Sequence, residues 1–124
     1  RIFSVTDTTQ NAPYLIPNLL KRIKKCKNKI LLKDLNHYRD FVTTKNIASA
    51  IYILYKKKRT GEYNIGSGKK FFLKDIARLI ARKYKKKVEF KDKNKTTFLI
   101  ANNKKLKKLG WKPKKFTKTL GYFY

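Results

Sequence analysis

The sequence contains one cysteine, no methionine and no long apolar run. A single Cys26 excludes an intramolecular disulfide framework and a zinc site built from cysteines. No apolar stretch approaches the roughly 18–20 residues that a membrane-spanning helix needs. We therefore expect a cytoplasmic location and no membrane partner. Because the chain opens on Arg1 and lacks methionine, we also expect it to be a piece of a longer polypeptide.

Negative charge is scarce as well. Seven Asp and Glu residues stand against 34 Lys and Arg, which gives a net charge of +27. Such a chain attracts polyanions by counterion release, so a small lysine-rich nucleic-acid-binding protein is one functional alternative. However, 28 of the basic residues are Lys and only 6 are Arg, whereas specific readers of bases and phosphates depend on the bidentate guanidinium. Since the lysines are spread along the chain, we interpret them as solvated surface with incidental affinity for polyanions.

Strand-like and helical patterns alternate along the chain, which predicts an α/β fold with crossover connections. Strands are expected at residues 1–5, 62–65 and 88–90, with an apolar run at 30–32 and a short extended piece at 39–42. The first helix is expected to bury Ile16, Leu19, Leu20, Ile23 and Cys26. The second, capped by Thr43 or Thr44, is expected to bury Ile47, Ala48, Ile51, Leu54 and Tyr55. The third is expected to bury Leu73, Ile76, Ala77, Ile80 and Tyr84. A fourth, over 102–109, is expected to end at Gly110.

The residues that could carry catalysis are few. His37 is the single histidine and lies in a polar link, where a solvent-exposed side chain is the expected state. The carboxylates are scattered, and neither a phosphate loop nor a dinucleotide-binding fingerprint is present. The sequence therefore shows no self-sufficient active site.

Three segments combine unusual residue types with a strand or helix end. Arg39-Asp40-Phe41-Val42 offers an Arg that could pair with a phosphate, or it is an ordinary Arg–Asp turn pair. Residues 64–68, Asn-Ile-Gly-Ser-Gly, could cradle an anion with backbone N–H groups, or they form a purely structural turn. Residues 109–113, Leu-Gly-Trp-Lys-Pro, are typical of a helix stop with an aromatic plug.

The order of the motifs carries more information than each motif alone. It comprises Arg1-Ile-Phe-Ser-Val, Leu15-Ile-Pro, Arg39-Asp-Phe-Val, Tyr63-Asn-Ile-Gly-Ser-Gly and Leu109-Gly-Trp-Lys-Pro. This series resembles the C-terminal part of the extended short-chain dehydrogenase/reductase family, the NAD-dependent nucleotide-sugar epimerases and dehydratases. The resemblance implies that residues 1–124 form one fragment. It would hold the C-terminal portion of a Rossmann-like sheet and the small mixed α/β substrate-binding domain, without the upstream Rossmann domain.

The same resemblance implies a function. The chain would be the substrate-binding region of an NAD(P)-dependent nucleotide-sugar epimerase, dehydratase or reductase, with no turnover alone. NAD or NADP would bind mainly to the missing N-terminal part, the substrate would be a nucleoside diphosphate sugar, and the full-length protein would be a homodimer. A non-catalytic remnant that binds a partner through a bare sheet edge is a further alternative.

Residue roles follow from the resemblance in the same way. Arg39 and Ser4 would contact the sugar diphosphate. The substrate-binding set as a whole is Ser4, Leu15, Ile30, Leu32 and Arg39, with Leu15 bordering the nucleotide and Ile30 and Leu32 flanking its base. Ile2 and Phe3 would lie beneath the nicotinamide.

The chain also departs from the family pattern. Lys45-Asn46 replaces an acidic pair, Phe72 replaces a helix-capping Ser, and residues 94–97 lack the usual late Arg.

Overall fold

Helices and strands alternate in the computed structural model, which describes residues 1–11 and 13–115. The elements are β1 (Ser4–Val5), α1 (Leu15–Lys25), β2 (Lys29–Lys33), β3 (His37–Arg39), β4 (Phe41–Val42), α2 (Thr44–Lys56), β5 (Phe71–Phe72), α3 (Leu73–Lys83), β6 (Lys87–Lys91), β7 (Thr97–Leu99) and α4 (Lys104–Lys108). They fall into two compact units. The first unit contains residues 1–8, 40–70 and the described residues from 99 onward, and the second contains the described residues of 9–39 and 71–98.

The first unit is built around the opening strand. β1 pairs in parallel with β4, so that Ser4 lies opposite Phe41 and Val5 opposite Val42. The Phe3 N–H donates to the Ile65 carbonyl at 3.0 Å, and the Thr6 N–H donates to the Val42 carbonyl at 3.0 Å. Because alternate residues of a strand point their hydrogen-bonding groups to opposite edges, the opening strand lies between Ile65 and β4. The parallel arrangement confirms the predicted α/β class.

The second unit pairs two longer strands. β2 and β6 run parallel in register from Lys29 opposite Lys87 to Lys33 opposite Lys91. A separate three-stranded sheet has the order β5-β3-β7. The predicted apolar faces of the first and third helices are largely confirmed. Their buried residues are Ile16, Leu19 and Ile23 in α1, and Leu73, Ile76, Ala77, Ile80 and Ala81 in α3.

Helix α2 begins as predicted but buries a different face. The Asn46 N–H donates to the Thr43 hydroxyl at 3.2 Å, which confirms Thr43 as the N-cap. The predicted apolar face is wrong in part, because Ile51 is 54% and Tyr55 79% exposed and Ala48 is exposed as well. The fully buried residues of the helix are Asn46 and Ala50.

The polar residue Asn46 is buried because its amide has backbone partners. The Lys114 N–H donates to Asn46 Oδ1 at 2.9 Å, and Asn46 Nδ2 donates to the Lys114 carbonyl at 3.0 Å. A buried amide with both groups satisfied avoids the cost of lost hydrogen bonding. Ile47, Ile53 and Leu54 of the same helix pack against the core cluster, whereas Ile51 and Tyr55 lie outside it.

The end of the first unit packs against the same helix. Trp111 is buried in a cluster with Val42, Ala50, Ile65 and Leu106. Its indole Nε1–H donates to the Ser49 hydroxyl at 2.9 Å. Gly110 has φ +91°, a left-handed conformation that favours glycine after a helix. These contacts confirm both the helix stop at Gly110 and the aromatic plug.

A buried carboxylate joins three segments of the first unit. Asp40 is fully buried, and its Oδ1 accepts hydrogen bonds from the Ser67 N–H at 2.8 Å and the Ser67 hydroxyl at 2.5 Å. Its Oδ2 accepts from the Gly68 N–H at 2.8 Å and the Ala101 N–H at 3.1 Å. A Cβ on Gly66 would lie 2.8 Å from the same carboxylate. The absence of a side chain at Gly66 therefore permits the close approach.

We expect Asp40→Asn to lower the free energy of unfolding by about 1–3 kcal/mol. The substituted amide presents N–H groups to donors that need an acceptor, and water cannot replace the lost oxygen at a buried position. Urea unfolding of the two proteins measures the difference. The matched control is Asp75→Asn, whose carboxylate is largely exposed and pairs with Arg78 within one helix. Equal effects of the two substitutions would contradict the structural role of Asp40.

Candidate functional site

The glycine turn at residues 64–68, predicted as a possible anion cradle, already binds the carboxylate of Asp40. The N–H groups of Ser67 and Gly68 both donate to the Asp40 carboxylate, and Ser67 is buried. The segment is therefore a structural turn whose donors are used inside the unit. It does not offer those donors to a bound phosphate.

Arg39 does not pair with its neighbour Asp40. It is half-buried in β3, and its Nη1 donates to the Thr97 hydroxyl at 2.9 Å and to the Tyr38 carbonyl at 2.8 Å. Both bonds use one nitrogen, so among the described residues the Nη2 and Nε donors have no hydrogen-bond partner. The guanidinium is thus held at one end while its remaining donors can bind another acceptor.

Thr97 also contacts His37, two residues before Arg39 in β3. The Thr97 N–H donates to His37 Nδ1 at 3.2 Å, and the Thr97 Oγ1 lies 2.9 Å from the same nitrogen. The hydroxyl can accept from Arg39 and donate to His37, since it has one proton and two lone pairs. His37 was expected in an exposed link, and instead it lies in a strand and shares Thr97 with Arg39.

The β5-β3-β7 sheet has an aromatic face, opposite the face that carries Arg39. The Tyr38 ring stacks on Phe72 with centroids 4.7 Å apart and on Phe98 with centroids 4.8 Å apart. Strand side chains alternate between faces, so the stack places Arg39 and Thr97 on the other side. Sequence reasoning did not identify β3 and β7 as strands. The alternation in His37-Tyr38-Arg39 is the signal that could have revealed β3, and the β-branched and aromatic residues Thr97 and Phe98 are the corresponding signal for β7.

A second carboxylate fixes the loop that leads into β3. Asp92 accepts from the Leu35 N–H at 3.1 Å and forms an ion pair with Lys74 at 2.5 Å. The side-chain hydrogen bond from Lys74 lowers the pKa of Asp92, with the positive charge of Lys74 and the backbone N–H groups of residues 35 and 36 acting in the same direction. The loop therefore depends on an ionised Asp92.

Ile2 and Phe3, which the resemblance assigns to the cofactor, and Ser4, which it assigns to the substrate, lie in the opening segment of the first unit. Ile2 forms a parallel bridge with Ile65 and is 52% exposed. Phe3 and Ser4 are half-buried in the same strand. Ile2 is thus an apolar side chain available on the surface of this unit.

The other assigned residues lie in the second unit. Leu15 is half-buried at the first position of α1. Ile30 lines a hollow of about 510 Å³ together with α1 residues that include Arg22 and Lys25. Leu32 has no exposed surface, so its side chain belongs to the core and does not face a bound base.

Within 1–11 and 13–115, no three His, Cys, Asp or Glu side chains are grouped so that they could hold a metal ion. In that same part of the chain, no helix has the length and apolar character needed to span a membrane.

Known proteins identify the class to which this architecture belongs. The family model described as the NAD dependent epimerase/dehydratase family matches residues 2–66, slightly more than half of the chain. The chain belongs to this family. A search of curated protein sequences finds no match.

Solved structures of similar fold agree with this family. They also show what share of each similar protein this chain covers. RMD from Pseudomonas aeruginosa, complexed with NADPH, has a TM-score of 0.81 at 21% identity, covering 99% of this chain and 45% of that one. The dTDP-glucose 4,6-dehydratase of Bacillus anthracis, in complex with NAD, has a TM-score of 0.79 at 24% identity, covering 99% and 43%. The UDP-N-acetylglucosamine 4-epimerase of Methanobrevibacter ruminantium, in complex with UDP-N-acetylmuramic acid, has a TM-score of 0.76 at 23% identity, covering 99% and 42%.

The chain thus spans less than half the length of each of these proteins. The similarity shows the Rossmann-like α/β fold of this part of the family. It lends no support to the nucleic-acid-binding alternative.

The ionised state of Asp92 gives a prediction about pH. Because its pKa is lower in the folded state than the ordinary value near 3.9, the carboxylate stabilises the fold above about pH 4 and loses this effect as the pH falls through the folded-state pKa. We expect Asp92→Asn to be less stable than the wild type at neutral pH. The difference should narrow as the pH is lowered below about 4.

Thermal unfolding of both proteins across pH 2–7 measures that difference. The control is again Asp75→Asn, which removes one negative charge at an exposed position. A gap between wild type and Asp92→Asn that stays constant down to the lowest pH would contradict the assignment.

Proposed function

We propose that this chain is the C-terminal substrate-binding region of an NAD(P)-dependent nucleotide-sugar epimerase, dehydratase or reductase. Its substrate is a nucleoside diphosphate sugar, and the chain alone does not turn it over. The observation that carries the proposal is the half-buried Arg39, held through Nη1 by Thr97 and the Tyr38 carbonyl. The nucleotide-sugar enzymes among the similar structures support the substrate class.

The chemistry of Arg39 fits a diphosphate. A guanidinium binds adjacent phosphate oxygens through parallel charge-assisted hydrogen bonds. One nitrogen is already held, so part of the side-chain entropy is lost before the substrate binds. The nucleotide would therefore be anchored while the sugar ring is presented to the reacting groups of the full-length enzyme.

The described residues fit a limited role toward the nicotinamide cofactor. In the glycine turn, the N–H groups of Ser67 and Gly68 are already used by Asp40 and are not offered to dinucleotide phosphates. The exposed Ile2 supplies an apolar contact of the kind that suits one face of a nicotinamide ring. NAD or NADP would thus be held mainly by an upstream segment, and when bound it supplies hydride transfer.

An apolar face of α2 supports the existence of that upstream segment. Ile51, Tyr52 and Tyr55 are 54%, 61% and 79% exposed, at the spacing that places them on one side of a helix. The similar structures are more than twice as long as this chain. We propose that polypeptide preceding Arg1, including the Rossmann domain, covers this face. A cytoplasmic homodimer is the proposed state of the full-length protein.

We expect Arg39→Ala in the full-length protein to weaken binding of a nucleoside diphosphate sugar by roughly 1.5–3 kcal/mol, the scale of a hydrogen bond to a charged group. Thr97→Val removes the hydroxyl that positions the guanidinium, so a smaller loss is expected. Calorimetric titration with UDP-, dTDP- and GDP-sugars measures both.

Arg59→Ala is the matched control, since it removes an exposed guanidinium from the loop after α2. Unchanged affinity in Arg39→Ala for every sugar that the wild type binds would overturn the assignment of Arg39.

The upstream segment is tested with Ile51→Gln/Tyr55→Gln. In the 124-residue chain both side chains are exposed, so we expect little change in stability. In the full-length protein the two substitutions would cost about 1.5–3 kcal/mol for each side chain that becomes fully buried. Thermal unfolding in the two contexts measures this contrast.

Leu79→Gln, at an exposed apolar position of α3 that is 46% exposed, is the control. An equal effect of the double substitution in both contexts would contradict the docking of an upstream segment on α2. An upstream reading frame without Gly-x-x-Gly-x-x-Gly and Tyr-x-x-x-Lys would contradict the proposed enzyme itself.

A further inference from the structure

A lysine-lined hollow lies within the first unit. Its volume is about 400 Å³. The residues that line it are Ser67, Lys69, Lys107, Trp111, Lys112, Pro113, Lys114 and Lys115. Five of these eight are lysines, and all five are exposed. None of the seven positions that the family resemblance assigns to substrate or cofactor lines this hollow.

The positive charge of the hollow is not neutralised within the described chain. None of its described lining residues carries a carboxylate. The ion pairs recorded among the described residues involve Arg1, Lys29, Lys74 and Arg78, and none of the five lysines of the hollow. Ammonium groups gathered around one hollow repel each other, so an anion bound among them would relieve that repulsion.

One short lysine-rich segment supplies four of the five lysines, and the fold adds the fifth. Residues 104–115, Lys-Lys-Leu-Lys-Lys-Leu-Gly-Trp-Lys-Pro-Lys-Lys, contain seven lysines and no acidic residue. Lys69 joins four of them from a distant position, directly after the turn that Asp40 holds. A cluster that is already local in the sequence thus gains a fifth lysine through the fold.

The backbone of the hollow is held in place by α2. The Asn46 amide makes two hydrogen bonds with the Lys114 backbone, and the Ser49 hydroxyl accepts from the buried Trp111 indole. The Lys69 N–H donates to the Ser67 hydroxyl at 3.2 Å. The lysine side chains therefore extend from a fixed frame, which lowers the entropic cost of gathering them around a ligand.

We propose that this hollow binds a condensed phosphate, a chain of two or three phosphoryl groups that is either free or attached to a nucleoside. Such a group concentrates several negative charges in a small volume, which matches several ammonium groups around one hollow. Lysine suits this ligand because it acts as a point charge and needs no planar bidentate geometry. A nucleic-acid strand instead distributes one charge per about 3.4 Å of its axis and would require an extended track of lysines.

Inorganic tripolyphosphate is the first probe, titrated into the 124-residue chain at about 150 mM salt, where exposed long-range charge effects are largely screened. We expect saturable binding that Lys107→Gln/Lys112→Gln/Lys114→Gln weakens on the order of tenfold or more, since three charge-assisted contacts are lost. The matched control is Lys33→Gln/Lys57→Gln/Lys91→Gln, which removes the same charge at exposed positions outside the hollow. That control should change the affinity by less than about twofold.

ATP and a twelve-residue oligothymidylate are the comparison ligands. ATP binding more tightly than tripolyphosphate supports a nucleoside-bound phosphate, and equal affinities support the free form. Absence of tripolyphosphate binding at millimolar concentration overturns the proposal. So does an equal loss in both triple variants, or oligothymidylate binding that exceeds tripolyphosphate binding. The Arg39→Ala titration is independent of every one of these results.

Discussion

The carboxylate of Asp40 is the interaction on which the first unit depends. It is buried without a cationic partner among the described residues, and its charge is stabilised by backbone N–H groups and one hydroxyl. These donors come from the turn at 66–68 and from Ala101, so a single side chain joins the start of β4 to two distant segments. Such hydrogen bonds to a charged acceptor are stronger than neutral ones, and removal of the acceptor would leave several buried donors unsatisfied.

The neighbouring residues Arg39 and Asp40 have different roles: the aspartate is structural, and the arginine is the proposed binding residue. Asp40 is enclosed in the first unit, whereas Arg39 contacts Thr97 in the second. Adjacent residues of an extended segment point in opposite directions, which explains why these opposite charges do not neutralise each other. The arginine therefore retains donors that another acceptor can use, and this supports the proposed nucleotide-sugar ligand.

The lysines that give this molecule its large positive charge differ in their surroundings. Several lysines have ordinary local partners, such as Lys74 with Asp92 and Lys56 above the Tyr52 ring. The lysines around Trp111 and Pro113 differ because they surround a hollow on a frame that α2 holds. Net charge alone therefore predicts attraction to polyanions in general, while the arrangement of a few ammonium groups determines which anion fits.

The amino-acid sequence by itself determined the features that depend on neighbouring residues. These include the Thr43 cap, the stop at Gly110, the apolar faces of α1 and α3, and the order of motifs that identifies the family. Only the tertiary structure decided which face of α2 is buried, because Asn46 finds its partner at Lys114, 68 positions away. It likewise decided that Asp40 occupies the glycine turn, that Thr97 holds Arg39, and that Lys69 joins the lysines of residues 107–115 around one hollow. Each of these depends on contacts between residues far apart in the chain, which local periodicity and spacing do not encode.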